Sequence, residues 1–112
     1  MANHKILVVD DEPNVRDYMR MILEDAGFQV LTAGDGEEAL EITRKQKPDF
    51  ISLDLIMPKI EGARLCEIVR NMKSLDTCFI ALLSAAVPEL EVDYRKMGAD
   101  ACIAKGAFHV MA

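Results

Sequence analysis

Four apolar runs, each ending in a reactive polar residue, limit what this chain can fold into more than any other feature. Ile6-Leu7-Val8-Val9 leads into Asp10 and Asp11, and Phe50-Ile51-Ser52-Leu53 leads into Asp54. Phe79-Ile80-Ala81-Leu82-Leu83 leads into Ser84, and Ala101-Cys102-Ile103-Ala104 leads into Lys105. Short apolar runs of this kind read as strands. From Asp10 to Asp54, Ser84 and Lys105 the successive intervals are 44, 30 and 21 residues. The first holds an extra strand and two helices, and each of the others holds one crossover helix. Parallel strands need connections of that length, and open α/β sheets bind ligands outside the carboxyl ends of their strands. Three carboxylates, a hydroxyl and an ammonium are thus expected in one pocket, suited to a divalent cation and a phosphoryl group.

The connecting segments carry helix signals. Pro13 suits a first helical position, and Val15, Met19, Ile22, Leu23 and Ala26 follow at helical spacing to a stop at Gly27. Phe28 to Thr32 reads as the second strand. Asp35 with Glu38 forms an N-cap pair for a helix through Ala39, Leu40 and Thr43, closed by Pro48. A third helix carries Leu65, Cys66, Ile68, Val69 and Met72, and a short fourth runs from about Pro88 to Met97, stopped by Gly98. Alternation of this kind predicts an α/β domain with helices on both sheet faces.

At 112 residues the chain is expected to be one domain, residues 1–112, too short for two. A formal net charge of −6 argues against nucleic-acid binding by this domain, because no basic stripe is present to neutralise phosphates. No apolar stretch approaches membrane-spanning length, and the start shows no signal-peptide pattern, so no membrane partner is expected. Cys66, Cys78 and Cys102 are odd in number, form no CxxC and sit in apolar segments, which predicts free buried thiols in a reducing cytoplasm. His4 and His109 lie near the ends without a partner at metal-ligand spacing.

The pattern resembles the receiver domain of two-component response regulators. The matching pieces are Val9-Asp10-Asp11-Glu12, Asp54-Leu55-Ile56-Met57-Pro58 with Gly62 following, Ser84-Ala85, and Gly98-Ala99-Asp100 leading to Lys105. The resemblance covers Lys5 to Phe108. It implies a flavodoxin-like, doubly wound, five-stranded parallel sheet of order 2-1-3-4-5. It also implies a regulatory domain that catalyses its own phosphorylation and dephosphorylation, with an output domain either attached or separate. A histidine kinase or phosphotransfer protein would donate the phosphoryl group to Asp54. Asp11 would bind Mg²⁺ (or Mn²⁺) directly and Asp10 mainly through water, with Asp54 and the Ile56 carbonyl as further ligands. Ser84 would hydrogen-bond the phosphoryl group and Lys105 would contact it as a cation.

Elementary electrostatics agrees with these roles. Two carboxylates about 4 Å apart repel by about 4 kcal/mol at an effective dielectric near 20, and a hard cation with oxygen ligands removes that repulsion. It also offsets charge on the phosphoryl oxygens during in-line transfer. Ile56 and Ala86, two residues beyond Asp54 and Ser84, cannot orient an attacking water, which predicts slow loss of the phosphoryl group. Ile56 also stands where a covalent phosphohydrolase would carry a second acid/base, which disfavours that alternative class. A receiver fold that only docks a partner is the other alternative, opposed by Asp11, Asp54 and Lys105.

Three features depart from the family pattern. Cys102 stands where an aromatic switch residue is usual, and Gly106 replaces the proline that usually follows the lysine. Only seven residues follow Lys105, against about 10–14 for an ordinary helix, so the fifth helix is expected to be absent or truncated. In such a fold the first and fifth helices cover one sheet face together, so losing the fifth would bare Leu7, Val9, Leu53 and Ile103 on that face. They would be covered by Ala107 to Ala112, a partner, or a second copy in a homodimer, unless the chain is a fragment whose native continuation supplies the helix.

Overall fold

A computed structural model of the chain describes residues 4–54, 62–73, 77–84 and 98–104. Five parallel strands form one sheet: β1 (Lys5–Val9), β2 (Gln29–Ala33), β3 (Phe50–Asp54), β4 (Phe79–Ser84) and β5 (Ala101–Ala104). Their spatial order is β2-β1-β3-β4-β5, the doubly wound arrangement expected from the sequence. Three helices connect the described strands: α1 (Pro13–Asp25), α2 (Gly36–Gln46) and α3 (Gly62–Arg70). The expected fourth helix falls mostly on residues 85–97, outside the described residues, as do Gly106 and the segment on which the fifth-helix expectation turns.

Local chemistry sets the helix ends. Pro13 opens α1 after an N-cap at Glu12 whose side chain makes no capping hydrogen bond. At the other end the Gly27 N–H donates to the Glu24 carbonyl at 2.9 Å and the Phe28 N–H to the Leu23 carbonyl at 3.1 Å. Those two bonds, with Gly27 at φ +97, are a Schellman stop, and Phe28 joins Leu23 in one apolar cluster. The turn takes up Phe28, so β2 begins at Gln29, one residue later than expected. In α2 the Asp35 carboxylate accepts from the Glu38 N–H at 2.9 Å, and the Glu38 carboxylate reaches back to the Gly34 N–H at 2.6 Å. Lys47 then turns left-handed before Pro48.

The core lies in two layers separated by the sheet. Leu7, Val9, Ile51, Leu53, Ile80 and Leu82 pack toward Ala39, Leu65, Cys66 and Val69 on α2 and α3. Ile6, Val8, Val30 and Leu83 pack toward Met19, Val15 and Leu23 on α1. This corrects the expected composition of the α1 face. Leu7, Val9 and Leu53 are fully buried under α2 and α3, one strand position out of register with the face expected to be bared. The α1 side carries Ile6, Phe50, Ser52, Ala81 and Leu83, which line a groove of about 670 Å³. Phe50 stacks on the exposed Phe79 with ring centroids 5.1 Å apart.

Gly98-Ala99-Asp100 has a structural use at the far end of the sheet. Arg70 at the end of α3 donates to the Gly98 carbonyl at 2.7 Å, the Cys78 carbonyl at 3.1 Å and the Asp100 carboxylate at 2.8 Å. The same Asp100 oxygen accepts from the Ile80 N–H at 2.9 Å, so one ion pair fixes the starts of β4 and β5. Cys66 and Cys78 are free and buried, as expected, and burial pushes both thiols up to about 11. They are neutral packing groups near pH 7.

Thr43 on α2 is fully buried, and its hydroxyl finds no hydrogen-bond partner among the described residues. A buried hydroxyl without a partner costs on the order of 1–3 kcal/mol in desolvation, and valine fills nearly the same volume. Thr43→Val is expected to stabilise the domain by about 1 kcal/mol, which would raise the melting midpoint roughly 4–8 °C. An unchanged or lower midpoint in thermal denaturation would contradict this account of the site.

Candidate functional site

The register of the sheet assembles the acidic residues. Val9 pairs with Leu53 across β1 and β3, so Asp10 and Asp54, each one residue further on, come level at the carboxyl edge. Asp54 in turn pairs with Leu83 on β4, and Ser84 pairs with Ala104 on β5. All four strand ends singled out in the sequence therefore open on one edge of the sheet. Ser84 is described by its backbone alone, and Ile56 and Lys105 lie outside the described residues.

Asp10 and Asp54 are buried at 0% and 5% exposure, whereas Asp11 and Glu12 face solvent. The difference follows from the chain path. Asp10 still belongs to the sheet edge, where its N–H donates to the Ala33 carbonyl at 3.1 Å. Pro13 begins α1 only three residues later, so Asp11 and Glu12 make the connection across the top of the sheet. One Asp10 carboxylate oxygen accepts from the Glu12 N–H at 2.9 Å, which orients the buried side chain.

Oxygens of Asp10, Asp11 and Glu12 come within 4.8 Å of one another. The donors are all carboxylate oxygens, the set preferred by hard cations such as Mg²⁺ over soft transition metals. At 4.8 Å a pair of unit charges repels by about 3.5 kcal/mol at an effective dielectric of 20, falling toward about 1 kcal/mol in bulk water. A divalent ion would relieve that repulsion. Glu12 was not singled out by its sequence position, although it is the third consecutive acid of the run that ends β1.

Arg16 is the second residue that sequence reasoning missed. It sits on the first turn of α1, half-buried, and its Nη1 donates to the Asp10 backbone carbonyl at 2.7 Å. Its place between the apolar positions Val15 and Met19 marks a boundary position on the helix, but nothing in the sequence alone aims it at Asp10.

Residues 6–109 match the family described as the response regulator receiver domain. The chain belongs to that family. Receiver relatives include the probable transcriptional regulator ycf27 of Porphyridium aerugineum, 37% identical over 105 residues, covering 94% of this chain and 43% of that protein. Sporulation initiation phosphotransferase F of Bacillus subtilis is 33% identical over 101 residues, covering 88% of this chain and 79% of its own length. Among solved structures, the chemotaxis response regulator CheY4 of Vibrio cholerae superposes with a TM-score of 0.87 at 32% identity, covering 93% of this receiver and 88% of that chain. The response regulator TrrA of Thermotoga maritima, solved in complex with Mg²⁺–BeF, gives a TM-score of 0.80 at 35% identity, covering 91% and 86%. This receiver spans less than half the length of the transcriptional regulators it matches, 43% for ycf27 and 30% for the alkaline phosphatase synthesis regulator PhoP of Bacillus subtilis.

Proposed function

We propose that this receiver is a phosphoacceptor switch, in which Asp54 takes a phosphoryl group from the phosphohistidine of a sensor histidine kinase or phosphotransfer protein. The observation that carries this reading is the level placement of Asp10 and Asp54 at the sheet edge, beside the Asp10–Asp11–Glu12 carboxylate cluster. Asp54 is the group among these three aspartates best held for nucleophilic attack. It ends the central strand β3, is almost fully enclosed, and cannot swing away as a loop residue could.

In the proposed transfer an Asp54 carboxylate oxygen attacks phosphorus in line as the phosphorus–nitrogen bond breaks. The electron pair returns to the imidazole nitrogen, which needs no further oxidant or reductant. Asp10, Asp11 and Asp54, with the Ile56 carbonyl, would hold Mg²⁺, which when bound neutralises the carboxylates and the phosphoryl oxygens. Asp10, fixed by Glu12 and by its place in the sheet, would act mainly by holding water around the ion. Ser84 and Lys105 would meet the phosphoryl oxygens from the β4 and β5 ends of the edge. Phosphorylation would then alter contacts with an output domain or a separate partner in the cytoplasm. Support comes from the phosphotransferase among the relatives and from the Mg²⁺–BeF complex of TrrA.

The test is intact-mass measurement after incubation with acetyl phosphate. A gain of one phosphoryl group that requires Mg²⁺ is expected. No gain under any metal condition would instead favour a receiver fold that only docks a partner.

A further inference from the structure

We infer that Arg16 is a positioning residue for the acidic site, locking the peptide plane from which Asp11 projects, and that Gly34 keeps the space it needs. The Asp10 carbonyl belongs to the peptide that joins Asp10 to Asp11. Its oxygen accepts the 2.7 Å bond from Arg16, while the Asp10 N–H is held by Ala33 and the Asp10 carboxylate by the Glu12 N–H. The Ala33 and Glu12 bonds hold the preceding peptide and the Asp10 side chain, so among the described bonds the Arg16 contact is the one on the Asp10–Asp11 peptide itself. It sets the direction in which Asp11 leaves the sheet before any ion arrives. Removing Arg16 frees that plane.

Gly34 explains how a guanidinium reaches this place. It follows the last residue of β2, the strand beside β1, and a β-carbon there would lie 3.0 Å from Arg16 Nη1 and 3.5 Å from its Cζ. Arg16 thus crosses the end of β2 in close contact with Gly34, where a β-carbon would make the guanidinium give by a few tenths of an ångström. Its only hydrogen bond among the described residues goes to the neutral Asp10 carbonyl, and none of the described salt bridges includes it. An arginine kept only for charge would be expected to sit against one of the nearby carboxylates. Arg16 instead spends its fork on a backbone carbonyl, which is a geometric use.

Charge and geometry predict opposite signs, which makes the inference testable. As a nearby cation, Arg16 repels Mg²⁺, so its removal would tighten binding if charge were its only influence. As a positioning group it supports binding, and losing such an outer contact weakens metal affinity by roughly 10–100-fold. The inference rests on the proposed Mg²⁺ site, so the experiment begins with calorimetric titration of the wild-type chain with MgCl₂. Absence of binding there would remove the site itself and this inference with it. Given wild-type binding, Arg16→Ala should raise the Mg²⁺ Kd roughly tenfold or more. Gly34→Ala, which pushes the guanidinium aside while keeping its charge, should act in the same direction but less. In the Arg16→Ala background, Gly34→Ala should add nothing, because the two act through one contact.

A metal-free readout completes the test. The Glu12 amide, held by the Asp10 carboxylate, should exchange with solvent faster in Arg16→Ala, while the melting midpoint without Mg²⁺ stays near wild type. Unchanged or tighter Mg²⁺ binding in Arg16→Ala would overturn the inference while leaving the proposed function standing. Independent, additive effects of the two substitutions would overturn it as well.

Discussion

Asp54→Asn should abolish the Mg²⁺-dependent gain of a phosphoryl group from acetyl phosphate while leaving the protein folded. Asparagine matches aspartate in size, so the nearly buried end of β3 keeps its packing. What changes is the chemistry: a neutral amide is a very poor nucleophile towards phosphorus, whereas a carboxylate can form an acyl phosphate. No other described carboxylate is placed to replace it. Asp10 stands at the end of β1 rather than of the central strand, with one carboxylate oxygen held by the Glu12 N–H, and Asp11 and Glu12 lie in the solvent-facing connection. The variant also removes one negative charge from a crowded edge, so its melting midpoint without metal should not fall. Intact mass and thermal denaturation check both halves. Label retained in Asp54→Asn, or mapped by peptide analysis to Asp10, Asp11 or Ser84, would sink the assignment.

The strand ends were readable from the sequence because each apolar run stops at a residue of a different chemical kind. Parallel strands start and finish in register, so a polar terminus on each run predicts a common edge, and Asp10 and Asp54 do come level there. Helix ends were readable where capping chemistry is local, as at Asp35–Glu38 and Gly27. The faces of the sheet were not. Strands covered on both sides carry apolar residues at every position, so Ile6-Leu7-Val8-Val9 has no alternation to say which side each residue faces. Ser52 and Ala81 held the available clue. Both are small, and both line the groove on the α1 side with Ile6 and Leu83, which sets the parity opposite to that assumed for Leu7, Val9 and Leu53. Arg16 was illegible for another reason. Its guanidinium reaches the Asp10 carbonyl in close contact with Gly34, at the end of a different strand, and no local pattern joins those three residues.

Saturating Mg²⁺ should raise the melting midpoint strongly, and Asp11→Ala should erase that rise while leaving the metal-free protein no less stable. A ligand that binds only the folded state adds about 2.7 kcal/mol when present at 100 times its Kd. For a domain of this size each kcal/mol shifts the midpoint by roughly 4–8 °C, so an increment of roughly 10–20 °C is expected. The carboxylate cluster gives the opposite sign without metal. Asp11 lies within 4.8 Å of Asp10 and Glu12 oxygens, and removing it relieves repulsion that water screens only in part. It is exposed, so the truncation leaves no cavity to offset that relief. Sodium chloride at matched ionic strength separates screening from binding, because monovalent salt weakens the repulsion but does not fill a divalent site. A Mg²⁺ increment equal to that of sodium chloride, or one that survives intact in Asp11→Ala, would show that the acidic edge is not a metal site. A large increment confined to chains with Asp11 would tie the instability of the bare cluster to the cation it is built to hold.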